Sequence, residues 1–238
     1  MSNVTYLKLA LAAVTWPKLS VTSFKMIHGL ARQEIRPKTV IDVGANVGQF
    51  AIAAAKLFSD VTVHSFEPNP DCVAALRKNV NSLGNVVVYP LALGDEEGTL
   101  TFHLNSHSHS GSILPLAAGH VRAFPGAREI GTIKVKVSTL DKVFSDIDLP
   151  APVLLKLDVQ GYEAQTLKGS VDTLRRVEYV VLEASFKPMY QGEMLFMDII
   201  RLMEKFGFVF LRPVGLLTDP CTGEIIQTDA LFRRAHID

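Results

Sequence analysis

Residues 39–50, Thr-Val-Ile-Asp-Val-Gly-Ala-Asn-Val-Gly-Gln-Phe, leave this chain few folds to choose from. Val40, Ile41 and Val43 make an apolar, β-branched run of the kind found in a parallel sheet covered on both faces. Gly44 lets the backbone turn sharply and lie close to a ligand. Asn46 is placed to cap the helix that follows, with Gln49 as the other half of a capping box. The stretch therefore reads as a strand, a glycine turn and a helix start, a loop for a nucleotide-type cofactor. The next apolar strand, 61–66, ends at Glu67, whose carboxylate can accept hydrogen bonds from both hydroxyls of a ribose. A tight turn without a ligand is the plain alternative, and the pairing of glycine turn with acidic strand end weighs against it.

A chain of 238 residues suits one large α/β domain with a sizeable core. Its 24 basic and 24 acidic residues balance, and no basic run is present, which argues against nucleic acid and for a small-molecule partner. Cys72 and Cys221 lie far apart without a CxxC pair, so neither a disulfide framework nor a structural zinc site is indicated, and a reducing cytoplasm fits. The apolar run from Leu7 to Trp16 is short, broken by Lys8 and closed by Pro17, and reads as neither signal peptide nor spanning helix. Residues 1–36 form a helical lead-in, with Phe24, Ile27, Leu30 and Ala31 at helical spacing before Arg36-Pro37. Packing on its own domain is the commoner fate of such a segment, and contact with a membrane surface or partner is the alternative.

Residues 37–238 form the main domain, in which strand and helix alternate. Strands are expected at 61–66, 86–89, 153–157 and 179–182, with a helix capped by Asn69-Pro70 that buries Val73, Leu76 and Val80. After Pro90 the alternation breaks. Residues 99–103 and 133–137 follow period two, as a half-exposed antiparallel pair does, and the polar stretch 105–112 between them reads as a substrate lid. A helix over 195–206 and two closing strands, 208–211 and 230–233, complete the pattern.

An open doubly wound sheet holds its ligand at the carboxyl ends of its strands, which here carry Asp42, Glu67, Asp158 and Glu183. A pyrophosphate-binding turn needs Gly-x-Gly-x-x-Gly, but Asn46 occupies the second glycine position and the next glycine is Gly48. S-adenosylmethionine has a ribose, no phosphate, and cationic sulfonium and ammonium groups, so an acidic rim suits it better.

Asp-Val-Gly-Ala-Asn-x-Gly-x-Phe at 42–50, Phe-Glu-Pro-Asn-Pro at 66–70, Ala-Leu-Gly-Asp at 92–95 and Lys-Leu-Asp-Val-Gln-Gly-Tyr-Glu at 156–163 resemble the FkbM family of S-adenosylmethionine-dependent methyltransferases. The resemblance continues through 182–186, 189–193 and 229–232 and covers roughly residues 38–234. It implies a class I methyltransferase (Rossmann-like) α/β fold, a seven-stranded, mostly parallel sheet with an inserted hairpin and lid. It also implies O-methylation of a hydroxyl on a sugar, glycan or secondary metabolite. Carried onto this chain, it places the methionine part of the cofactor at the loop of Asp42, Gly44, Ala45, Asn46 and Gly48. The ribose then falls on Glu67, and the adenine by Pro68, Asn69, Ala92 and Leu93. Asn46 and Asn69 can equally be helix caps, and Ala92-Leu93 can equally be a strand end.

Methyl transfer to an alcohol needs the acceptor oxygen in line with the sulfonium methyl and a route for its proton. Asp158 belongs beside the methyl group, and Lys156, two residues earlier on the same side of the strand, either orients Asp158 or contacts the acceptor. Glu163 reads as a support for a backbone turn. Glu183 is the second rim carboxylate. Asp158 with Glu183 could hold one Mg²⁺, a minority alternative to a metal-free site. His107 and His109 on the lid are the other base candidates, though polar loops commonly carry free histidines, and His64 reads as structural or as packing beside the cofactor. Two rivals stand beside this reading: a nicotinamide-dependent oxidoreductase and a non-catalytic module that binds S-adenosylmethionine.

Overall fold

The structure, a computed structural model, describes residues 3–106 and 108–235. The first half of the chain forms α1 (Asn3–Thr15), α2 (Val21–Arg32), β1 (Thr39–Val43), α3 (Gln49–Leu57), β2 (Thr62–Phe66), α4 (Pro70–Val80), β3 (Val86–Tyr89), β4 (Ala92–Leu93) and β5 (Gly98–Asn105). The second half forms α5 (Ala118–Ala123), β6 (Glu129–Ser138), α6 (Leu140–Val143), β7 (Val153–Leu157), α7 (Glu163–Lys168), α8 (Val171–Leu174), β8 (Tyr179–Ser185), α9 (Phe196–Lys205), β9 (Phe208–Thr218) and β10 (Ile225–Arg234).

Seven strands join in the order β3-β2-β1-β7-β8-β10-β9. β3, β2, β1, β7 and β8 run parallel, and β10 lies antiparallel between β8 and β9. Chain order reverses between β1 and β7, which opens the crevice where a doubly wound sheet takes its ligand. The apolar run of β1 is explained by cover on both faces. Ile41 packs with Phe66, Leu155, Val180 and α9, while Val40 packs with Val63, Leu154, α2 and α3.

α2 is capped by Ser20, whose hydroxyl accepts from the Ser23 amide at 3.1 Å, and it buries Phe24, Met26, Ile27 and Leu30. Each such side chain contributes roughly 1.5–3 kcal/mol on burial, so α2 is a working part of the core. It stops at Arg32, short of the expected Arg36-Pro37, because Glu34 turns into the left-handed region at φ 62°. α1 instead leaves Leu11 and Val14 exposed. Among the described residues no helix is long and apolar enough to cross a membrane.

The period-two segments pair as expected, Thr99 opposite Lys136 and Thr101 opposite Lys134, but within a separate three-stranded sheet, β4-β6-β5. Ala92 and Leu93 bridge the two regions by pairing in parallel with Val137 and Ser138. The closing strands are longer than expected, because β10 has a partner on each side along most of its length.

Candidate active site

β1 ends in a turn that the backbone alone could not tolerate with ordinary residues. Gly44 has φ 81°, and a Cβ there would collide with the Asp158 carbonyl, so the β1 and β7 ends meet only because residue 44 is glycine. Gly48, at φ 93°, precedes α3 where a Cβ would press on Leu76. The expected capping box does not form. Asn46 itself takes a left-handed φ of 50°, so Gly48 occupies the cap position and Asn46 is turned to the crevice. Its Oδ1 is buried without a hydrogen-bond partner among the described residues, and its Nδ2 lies 3.3 Å from His109 Nδ1. Asn69, by contrast, does cap α4, accepting from the Asp71 amide at 3.0 Å.

Glu67, at the end of β2, grips this turn. Its Oε2 accepts from the Asn46 amide at 2.8 Å and its Oε1 from the Asn69 amide at 2.9 Å. Burial pushes its carboxyl up to about 7 against the pull of these two amides. His64 bonds the Tyr89 hydroxyl at 3.0 Å and packs edge-on to Phe144, a structural role.

Lys156 is buried between two carboxylates, 3.3 Å from Asp42 and 3.2 Å from Asp158. Burial works against its charge, but Asp158 and Asp42 outweigh that and hold the ammonium above the usual lysine value. Asp42 is fully buried behind the turn, and neither it nor Lys156 is among the residues that line the cavity; Lys156 is paired with Asp158, the first of the two arrangements expected for it. Ala45 and Gly48 likewise shape the turn from behind: Ala45 packs with Ile52 and Leu76.

Gln160 ties the rest together, and nothing in the sequence reading singled it out. At φ 58° it turns its side-chain amide between Asp158 Oδ1 (2.6 Å) and Glu183 Oε2 (2.9 Å), donating to both, while Tyr190 donates to its Oε1 at 2.5 Å. The same amide spans the two carboxylates that the magnesium alternative would use, and no group of three or more metal-binding side chains occurs among the described residues. Burial, followed by the charges of Asp158, Glu163 and Asp229, raises the Glu183 carboxyl well above its ordinary value.

Glu163 supports the same turn as expected, its Oε1 accepting from the Val159 and Gly161 amides at 3.1 and 3.3 Å. Burial pushes it up to about 8. A raised folded-state pKa means that its contribution to stability is complete below about pH 4.5 and is lost as pH rises towards 8. Glu163→Gln keeps the acceptor and removes the titration. In urea unfolding, its stability should therefore fall less than the wild type's across that window; parallel pH dependences would refute this account.

These elements enclose a cavity of about 370 Å³. Its lining includes Gly44, Asn46, Phe66, Glu67, Pro68 and Asn69 from the β1 and β2 ends, Leu91, Ala92 and Leu93, then Asp158, Gln160 and Glu183 from the β7 and β8 ends, and His120, Phe124 and Leu217. The lid closes over it. Ser112 donates to the Gln160 carbonyl at 2.6 Å, and α5 is fixed through the Ala117 amide on the Met189 carbonyl at 2.9 Å. His109 lines the cavity from an exposed position beside Asn46, and His107 lies outside the described residues. His120 was not foreseen, since it sits in the stretch that carried no helical or strand periodicity.

Similar proteins share both the sequence and the architecture. The chain is 28% identical over 187 residues to the 2-O-methyltransferase NoeI of Sinorhizobium fredii, covering 76% of each chain. It is 32% identical over 206 residues to the 31-O-demethyl-FK506 methyltransferase FkbM of Streptomyces tacrolimicus, covering 76% of this chain and 75% of that one. It is also 28% identical over 146 residues to the hexuronic acid methyltransferase AglP of Haloferax volcanii, covering 60% of this chain and 54% of that one. In fold it matches the 1,6-didemethyltoxoflavin-N1-methyltransferase of Burkholderia thailandensis, a structure with bound S-adenosylhomocysteine, with a TM-score of 0.51, 10% identity and coverage of 91% and 79%. The model of the methyltransferase FkbM domain matches residues 42–210, from the glycine turn through the rim to β9, and the chain belongs to that methyltransferase family.

Proposed function

We propose that this protein transfers a methyl group from S-adenosylmethionine to a hydroxyl oxygen of a sugar, glycan or secondary metabolite. The observation that carries the reading is that one cavity joins an acid-gripped glycine turn to an amide-bridged pair of carboxylates. The residues suit the cofactor. Glu67 keeps spare lone pairs for ribose hydroxyls, and the buried, unpartnered Asn46 Oδ1 suits the ammonium of the methionine end. Phe66, Pro68, Asn69 and the Ala92-Leu93 backbone offer a flat, largely apolar slot for adenine. Bound there, S-adenosylmethionine supplies an electrophilic methyl carried on a sulfonium. Asp158 is held by Lys156 and Gln160 at the carboxyl end of β7, where its charge faces that cation. Glu183 has acceptor capacity left to orient the incoming hydroxyl.

The names of the relatives support oxygen acceptors: a 2-O position, a 31-O position and a hexuronic acid. The nicotinamide alternative loses support with the second glycine missing from the turn, and no step here draws on magnesium. Two free cysteines, Cys72 and Cys221, favour a reducing cytoplasm. The catalytic domain is taken as residues 37–238, with 1–36 as its helical extension. The test is a calorimetric titration with S-adenosylhomocysteine and, in parallel, NAD, followed by transfer of labelled methyl to a panel of hydroxyl acceptors. Micromolar binding of the former alone, with O-methyl product, is the expected result. NAD binding, or labelled nitrogen or carbon in the product, would overturn the reading.

A further inference from the structure

The 24 basic and 24 acidic residues balance over the whole chain, but they do not balance on every face. α2 and α3 share a core with Val40, Val63 and Leu154 on one side of the seven-stranded sheet, and Trp16 ties the end of α1 to it against Phe24, ring centroids 5.8 Å apart. These three helices carry Lys8, Lys25, Arg32 and Lys56, with exposed Lys18 between α1 and α2, and no aspartate or glutamate. The acids lie elsewhere: α4, α6, α7, α8 and α9 each hold at least one. Nearest along the chain are Glu34 and Asp60, which follow α2 and α3, and Asp60 pairs with Lys38 at 3.7 Å.

The cations are interleaved with exposed apolar side chains. On α1, Lys8 and Leu11 are three residues apart and Val14 follows after three more, so they share one side of the helix. Leu11 is 64% exposed and Val14 86%, well outside the core. On α2, Val21, Lys25, His28 and Arg32 recur at spacings of four, three and four, on the side away from buried Phe24, Ile27 and Leu30. The two stripes adjoin. Burial, then the charges of Lys8 and Arg32, lowers the His28 imidazole, so the α1 cation stands within reach of the α2 stripe. Arg212 adds a further cation beyond Arg32, its Nε donating to Gln33 Oε1 at 3.1 Å.

We propose that the outer face of α1 and α2 docks on an anionic lipid bilayer, with Leu11, Val14 and Val21 entering the headgroup layer and Lys8, Lys18, Lys25 and Arg32 meeting lipid phosphates. A bilayer surface suits both kinds of side chain at once: it draws cations through its charge and takes apolar groups out of water. Nucleic acid would match the cations but offers Leu11 and Val14 no apolar layer. A second copy of the same face would set cation against cation. Contact is peripheral, since among the described residues no helix is long and apolar enough to cross a membrane. Docking does not depend on methyl transfer, and either can fail without the other.

Sedimentation of the full chain with vesicles tests the docking. Vesicles of phosphatidylcholine with about one third phosphatidylglycerol should bind the protein at low salt and release it as salt screens the attraction; phosphatidylcholine alone should not bind it. Lys8→Gln, Lys18→Gln and Lys25→Gln together should lower the partition coefficient roughly 100-fold, at about fivefold per lysine. Leu11→Ser with Val14→Ser should lower it on the order of tenfold or more. All of these positions are exposed, so both variants should melt at the wild-type temperature. No binding at low salt, equal binding to the two vesicle types, or wild-type partitioning in either variant would overturn the proposal. So would a dimer that the same substitutions dissolve, which would assign the face to a second copy, and so would binding of a random-sequence oligonucleotide in place of vesicles.

Discussion

Lys156→Ala should cost the fold about 3–5 kcal/mol, because it removes one member of a buried ionic group and leaves the other in place. Asp42 is fully buried, and Lys156 is its ion-pair partner among the described residues. The same ammonium pairs with Asp158, reaches to 3.5 Å from the Gly44 carbonyl and lies 5.3 Å from the centre of the Phe50 ring. The loss is a large share of the roughly 5–15 kcal/mol that separates folded from unfolded states. Urea unfolding near neutral pH measures it. Burial already favours the protonated form of Asp42, and without Lys156 nothing opposes it. The deficit of the variant should therefore shrink in acid and grow as pH rises. Adding Asp42→Asn to Lys156→Met should recover part of the loss, since the isolated buried charge is then gone. A deficit of under about 1 kcal/mol would mean that water solvates Asp42 in the variant and that the pair is not what locks β1 to β7.

Glu67→Ala should lower affinity for S-adenosylhomocysteine by roughly 100-fold or more. A charge-assisted hydrogen bond contributes about 1.5–3 kcal/mol, and this carboxylate both faces the proposed ribose site and pins the two amides that shape it. The pH dependence gives a sharper check. The carboxyl is pushed up to about 7, and ribose hydroxyls donate to its ionised form, so ligand binding competes with protonation. Wild-type affinity should fall as pH drops below about 7, approaching tenfold per unit, and Glu67→Ala should abolish that slope. Calorimetry at a series of pH values reads both effects. Unchanged affinity in the variant would place the ribose elsewhere.

The parts of this molecule legible in its sequence are those decided by local chemistry. The run Val40-Ile41 announced a strand covered on both faces, Glu67 and Asp158 marked strand ends, and Asn69-Pro70 marked a helix start, because each depends on a few neighbouring residues. Asn46 was legible as a polar residue at the turn, but its φ of 50° was not, and that angle decides whether it caps a helix or faces a cavity. Gln160 escaped notice for the same reason: its neighbours in the chain say nothing of the left-handed φ that swings its amide between two strands. The pairing of Lys156 with Asp158 was legible from their two-residue spacing, but not that Asp42 on the neighbouring strand shares the same ammonium out of the cavity wall. His120 lies in a stretch whose short helix is set by the distant loop at Met189 and Tyr190, a contact that no local pattern encodes.

The separate three-stranded sheet has an evolutionary consequence. Asn105 and Glu129 face each other across β5 and β6, so the chain leaves and re-enters the molecule at adjoining points, and the 106–128 excursion hangs from a frame of its own. Insertions, deletions or wholesale exchange between those two residues leave every hydrogen bond of the seven-stranded sheet in register. The strand end that carries Glu67 and the turn that carries Asn46 can therefore stay constant while the lid wall that carries His109, His120 and Phe124 is rewritten. If the turn holds the donor as proposed, a lineage built on this plan can change what it modifies without relearning how to hold it.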